Sequence, residues 1–284
     1  MTPEARGLRT QRFLVIALTA LITIAPLVSL AAAAPVAIAI VVLTIVAWRL
    51  RALAPTSVGI LSVACVVLGI AGVGPQQVVF SLAFLICALV LWRVPWLREA
   101  TVWFQRGALN KSLFALAAGI AGLAAVALLM WYAVAKPDLG DLVRTYVGDQ
   151  PLWLLVPGAV VFSMLNAAIE EGAYRGLLLG ALDATLGAGR VRAARASMSL
   201  TDARLDRERA EASALPVFLQ AIAFSALHLQ GGFPRGVVGV GLAFVYGLLL
   251  GALRRRAGGL LAPWVAHVFT DLAIAGIMLA LVRR

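Results

Sequence analysis

The sequence predicts an all-α fold, a polytopic transmembrane helix bundle of about nine helices. Three observations carry this expectation. Of 284 residues, 62% are hydrophobic and 13% charged, whereas charged residues make up about a quarter of a soluble globular domain. Apolar runs close to the ~20 residues that cross a bilayer recur along almost the whole length. Prolines punctuate those runs at Pro35, Pro55, Pro75, Pro95, Pro137, Pro216, Pro234 and Pro263, where a helix ends or has just begun.

The first helix is expected over 12–32. Arg6, Arg9 and Arg12 precede its apolar run, and AAAAP follows at 31–35. A secretory signal with a small-residue cleavage site has the same pattern. The next apolar run starts at once, so a retained first helix is the reading adopted. Helices follow over 35–50, 57–73, 77–93 and 109–135. The segment 151–186 would be ~54 Å long as one helix, against a ~30 Å hydrocarbon core. It must tilt strongly, break near Pro157–Gly158 or extend into the cytoplasm. The stretch 187–213 mixes arginines with Asp202, Asp206, Glu208 and Glu211 and reads as a solvated cytoplasmic segment carrying a short surface helix. Helices over 215–229, 235–253 and 259–282 complete the chain.

The net charge is +11, from 24 basic and 13 acidic residues. The arginines cluster in alternate loops, as positive-inside topology requires. The expected partner is therefore the lipid bilayer and not nucleic acid, with the N-terminus cytoplasmic. Arg283 and Arg284 would land on the outer side, a small misfit. Trp48 and Trp92 abut cytoplasmic arginines, and Trp131 and Trp153 flank an outer loop, as amphipathic rings at interfaces do. Cys65 and Cys87 each lie in an apolar run, which argues against a structural disulfide. Lys111 and Lys136 are the only lysines in an arginine- and alanine-rich chain, a composition that suggests a bacterial inner or plasma membrane.

Ionisable groups inside a bilayer cost at least ~2.5–3.5 kcal/mol at a helix centre and mark function or pairing. Three such places stand out. Glu170, Glu171 and Arg175 sit in AAIEEGAYRGLLLG (167–180). Glu171 and Arg175 are four apart and can form an ion pair on one helix face. Glu170 points about 100° away, which leaves it for chemistry. Ala168, Gly172, Gly176 and Gly180 make a small-residue stripe for a close neighbour. FSALH (224–228) and HVFTD (267–271) hold the chain's two histidines. Asp271, one turn after His267, is placed to accept a hydrogen bond from its ring and so fix the tautomer. Glu170, His228 and His267 suit the activation of water for hydrolysis. The same three residues also make a sufficient zinc ligand set with an open position, and both readings stand at this point.

The motifs EEGAYR, FSALH and HVFTD resemble, in order and helix placement, those of the CPBP family of intramembrane proteases. That family includes the type II CAAX prenyl proteases and bacteriocin-processing and self-immunity proteins. GALRRRAGGLLAPWVAH (251–267) resembles the family's run into its last motif. The resemblance covers about 150–282, so residues 150–284 are expected as the protease domain and 1–149 as motif-free membrane helices. It implies an endopeptidase acting on a membrane-associated protein or peptide. Glu170 and His228 would activate water, with His267 and Asp271 on the oxyanion side. Glu171 and Arg175 would hold the site together. Both zinc-dependent and metal-free descriptions of the family exist. Asp271 replaces the asparagine of the prenyl-protease branch, and an ionised aspartate cannot donate to an oxyanion. The competing reading is a non-catalytic scaffold or regulator that binds a partner membrane protein. A proton-relay transporter lacks the paired half-chain repeats such proteins carry. Substrate and oligomeric state are not legible.

Overall fold

A computed structural model describes residues 3–27, 30–140, 148, 150–187, 202–231 and 233–282. Arg190, Arg192, Arg195, Arg283 and Arg284 lie outside them. The described residues hold helices and no strand. Ten α-helices are present: α1 Pro3–Ile24, α2 Leu30–Arg49, α3 Leu53–Ile70, α4 Gln76–Arg93, α5 Lys111–Ala135, α6 Leu152–Glu170, α7 Leu179–Leu182, α8 Asp202–Ala226, α9 Gly236–Ala257 and α10 Leu261–Val282. A 3₁₀ segment, Pro95–Phe104, follows α4. Seven helical stretches are long and apolar enough to span a membrane, and Ala33–Arg49 and Ala214–Leu229 are shorter apolar helices. Together they correspond to the nine segments expected. Ile70, Val134 and Trp153 are 80%, 82% and 76% exposed, an apolar exterior suited to lipid.

Several sequence expectations change, and among the alternatives for 151–186 the break at Pro157 is not found. The first helix begins at Pro3, well before 12. The segment 151–186 is unbroken at Pro157, which lies inside α6. It continues through π-helical turns at Glu171–Leu178, then α7, then a second π-helical stretch at Asp183–Gly187. Pro216 likewise lies inside a helix, because α8 runs from Asp202. Residues 203–212 are almost entirely Ala, Arg, Leu and Glu with one Asp. Their summed helix propensity offsets the ~3 kcal/mol cost of an interior proline. Pro35 also falls inside α2.

The chain folds as two compact units, Met1–Gln105 with Gly172–Gly251, and Arg106–Glu171 with Ala252–Arg284. The first unit is centred on α3, which packs on α1, α2 and α4 around Val15, Leu18, Ile40, Val58 and Cys87. Close helix approach depends on missing side chains. A Cβ at Gly247 would lie 3.2 Å from Ala221 Cα, and one at Gly251 would lie 2.9 Å from Val217 Cγ1. Gln220, fully buried, donates through Nε2 to the Gly247 carbonyl at 3.1 Å. These contacts lock α8 to α9 and thereby fix the end of α8, where FSALH begins. Arg12 donates from Nε to the Thr185 carbonyl at 2.9 Å, placing a cation on the carbonyl end of the Asp183–Gly187 turn.

In the second unit, α10 packs against α5 and α6. The buried residues of α5 are Leu113, Ala117, Ile120, Ala121 and Leu128, one helical face. Asn110 caps α5 by accepting from the Leu113 amide at 3.0 Å. The entry to α10 is tied to residues 106–108. Ala108 donates to the Ala257 carbonyl at 2.8 Å, and Leu261 donates to that of Arg106 at 2.9 Å. Gly107 makes the approach possible: its φ is +70°, and a Cβ there would lie 2.6 Å from the Gly259 nitrogen. This tether sets where α10 starts, two turns before His267.

Candidate active site

The second unit gathers Glu170, Glu171, His267 and Asp271. Ala262 and Ala266 are fully buried on α10, and the next position carries His267 into the same packed region. Glu171 Oε1 lies 2.7 Å from His267 Nδ1. On the other edge of the ring, Nε2 lies 3.7 Å from Glu170 Oε2 and 3.6 Å from Asp271 Oδ1. The imidazole therefore has carboxylates at both nitrogens. An ionised carboxylate only accepts, so the 2.7 Å contact assigns a proton to Nδ1.

This geometry corrects one sequence expectation. Asp271 does not orient His267 by a hydrogen bond, because 3.6 Å is too long for one. Glu171 takes that role at Nδ1. The reason is local. Glu171 starts a π-helical stretch, whose turns close i→i+5 and hold more residues than α turns. Successive side chains fan over a smaller angle there than the 100° of an α-helix, and both glutamates reach one ring. They differ in access: the Glu170 side chain is 22% exposed and that of Glu171 is 1%. Glu170 is the more exposed carboxylate.

Two residues that the motifs did not single out complete this group. Asn166 donates from Nδ2 to Asp271 Oδ2 at 3.0 Å. Trp264 donates from its indole to the Met164 carbonyl at 3.0 Å, a second tie between α10 and α6. Asn166 is a polar residue one turn before Glu170 in an apolar run, and that signal could have found it.

The first unit holds the remaining motif residues. Arg175 is fully buried, with its guanidinium 4.3 Å from the centre of the Phe224 ring. Tyr174 meets the same ring edge-on at 5.2 Å and stacks on Phe80 at 5.7 Å. His228, on the 3₁₀ turn Leu227–Leu229, has its ring 5.3 Å from Phe224. Phe224 thus links the arginine of the first motif to the histidine of the second, which gives FSALH its aromatic. Of the small-residue stripe, Gly172 and Gly180 admit aromatic rings. A Cβ would lie 2.4 Å from Phe84 Cζ at Gly172, and 2.5 Å from Trp103 Cγ at Gly180.

Residues 151–273, less than half of the chain, match the family model described as type II CAAX prenyl endopeptidase Rce1-like. This segment belongs to that family. The match includes EEGAYR, FSALH and HVFTD and supports the broader CPBP assignment. No curated protein and no solved structure matches the chain. With its apolar helices the chain is an integral membrane protein, and its segment 151–273 is similar to an intramembrane protease family. Among the described residues, within neither unit do three or more His, Cys, Asp or Glu form a group able to hold a metal ion, and the set Glu170, His228 and His267 draws on both units.

Proposed function

We propose that this protein is an intramembrane endopeptidase that hydrolyses a peptide bond of a membrane-associated protein or peptide with activated water. The observation that carries the reading is the pair of ring contacts on His267. Glu171 at 2.7 Å fixes Nδ1, and the accessible Glu170 stands 3.7 Å from Nε2. A water shared by the two groups bonds to both from one side of this gap, since 3.7 Å is shorter than two hydrogen bonds end to end. Glu170 is the general base that takes a proton from that water as its oxygen attacks the scissile carbonyl. In its imidazolium form the ring also carries a proton on Nε2 and donates it as a hydrogen bond to the charge that develops, and Glu170 passes the proton it took to the leaving amine. His228 shares in water activation on the strength of its motif alone.

Residues 150–284 carry the chemistry, the N-terminus faces the cytoplasm, and the membrane is a bacterial inner membrane. These assignments rest on the motif positions, the alternating arginine clusters and the composition. The test is cleavage of a membrane-peptide library by purified wild type, with mass-spectrometric mapping of the cut. Cleavage at defined bonds supports the reading. An inert wild type that still binds a membrane partner through this segment would move the protein to the scaffold class.

A further inference from the structure

The geometry points to Asn166 as a positioning residue of the active site: its carboxamide holds Asp271 so that one carboxylate oxygen faces His267. This inference rests on the hydrolase reading and adds a residue that no motif contains. Asn166 Nδ2 donates to Asp271 Oδ2 at 3.0 Å, across from α6 to α10. The other oxygen, Oδ1, is the one 3.6 Å from His267 Nε2. The two oxygens of Asp271 therefore have different neighbours.

The division has a physical consequence. The terminal torsion of an aspartate is broad and roughly two-fold, so an untethered carboxylate samples many orientations. One hydrogen bond to Oδ2 removes that freedom and fixes what His267 sees. Asn166 shares its helix face with Glu170, four residues on, so the residue that sets Asp271 is carried by the same turn as the proposed base. The carboxylates of the cluster are acceptors when ionised, and Asn166 supplies an amide donor among them. The placement also accounts for a carboxamide in an apolar membrane helix, where a polar side chain is held by a partner on a neighbouring helix.

A residue that works through Asp271 leaves a signature that mere packing does not. Asn166→Leu keeps the branched shape with slightly more bulk and removes the donor, and Asn166→Ala removes the donor without bulk. Each should lower kcat by ~10–100-fold, the range for groups that orient a functional side chain, with KM and the thermal midpoint little changed. The decisive comparison is the double variant with Asp271→Ala. If Asn166 acts through Asp271, Asn166→Ala/Asp271→Ala matches Asp271→Ala alone to within about twofold. Asn166→Gln, which keeps the amide, should recover part of the loss. Losses that multiply, or wild-type kcat in both Asn166 variants, would overturn the assignment while an active wild type keeps the hydrolase reading. A wild type with no peptidase activity would remove both.

Discussion

Glutamine at position 171 changes one charge and almost no volume. Glu171 Oε1 is 2.7 Å from His267 Nδ1, and the two side chains are 1% and 5% exposed, so water does not screen the contact. A hydrogen bond to a charged group contributes about 1.5–3 kcal/mol, against about 1 kcal/mol for a neutral pair. A carboxamide can also donate or accept at Nδ1, so the ring's proton is no longer dictated by its neighbour. If that difference of about 0.5–2 kcal/mol falls on the reactive arrangement, about 1.4 kcal/mol per tenfold gives a kcat lower by ~2–30-fold. The thermal midpoint in detergent should move much less, because the shape is kept. Glu171→Ala is the contrast: it strips a buried partner from His267 and should destabilise by about 3–5 kcal/mol. The assay is cleavage of a quenched membrane peptide with kcat and KM resolved, beside thermal unfolding and ¹⁵N spectra of the imidazole. Wild-type kcat in Glu171→Gln, with the ring tautomer unchanged, would refute the orienting role.

Further outcomes follow from the same contacts. Arg175→Lys replaces a planar cation stacked on Phe224 with a compact one; it should lower stability by about 2 kcal/mol, the scale of a desolvated cation–π contact, read by thermal unfolding. Gly172→Ala drives a methyl into Phe84 and should destabilise by about 1–3 kcal/mol, with Phe84→Leu in the same chain restoring part of the loss. Gly107→Ala meets backbone at Gly259 in a left-handed conformation and should be more damaging than Gly172→Ala, with no rescuing side-chain change. Chelator should leave cleavage intact, and elemental analysis should find zinc well below one per chain. Chelator-sensitive cleavage with one zinc bound would contradict the metal-free sequence of steps.

The apolar segments were legible because a bilayer demands about 20 apolar residues per crossing, a signal that survives errors at helix ends. Those ends were not. Pro35, Pro157 and Pro216 read as breaks or candidate breaks but lie inside helices. At Pro216 a run of strong helix formers outweighs one missing amide, and proline alone does not display that balance. The site was legible as a set: Glu170, Glu171, His267 and Asp271 stood out because charge inside a membrane helix requires a reason. Their pairing was hidden. The i, i+4 rule links neighbours within one helix, and the contact from Glu171 to His267 joins residues 96 apart in sequence. Phe224 was quoted as part of a motif, but its place between Arg175 and His228 needed three dimensions.

The central claim is that Glu170 is the base, distinct from its neighbour. Glu170→Gln keeps the side-chain shape and removes the acceptor charge. In a protein shown to be folded by an unchanged thermal midpoint, kcat/KM for the mapped cleavage should fall by ~10²–10⁴-fold, the contribution of a positioned general base. Activity within a few-fold of wild type would contradict the account and return the chemistry to another residue of the cluster.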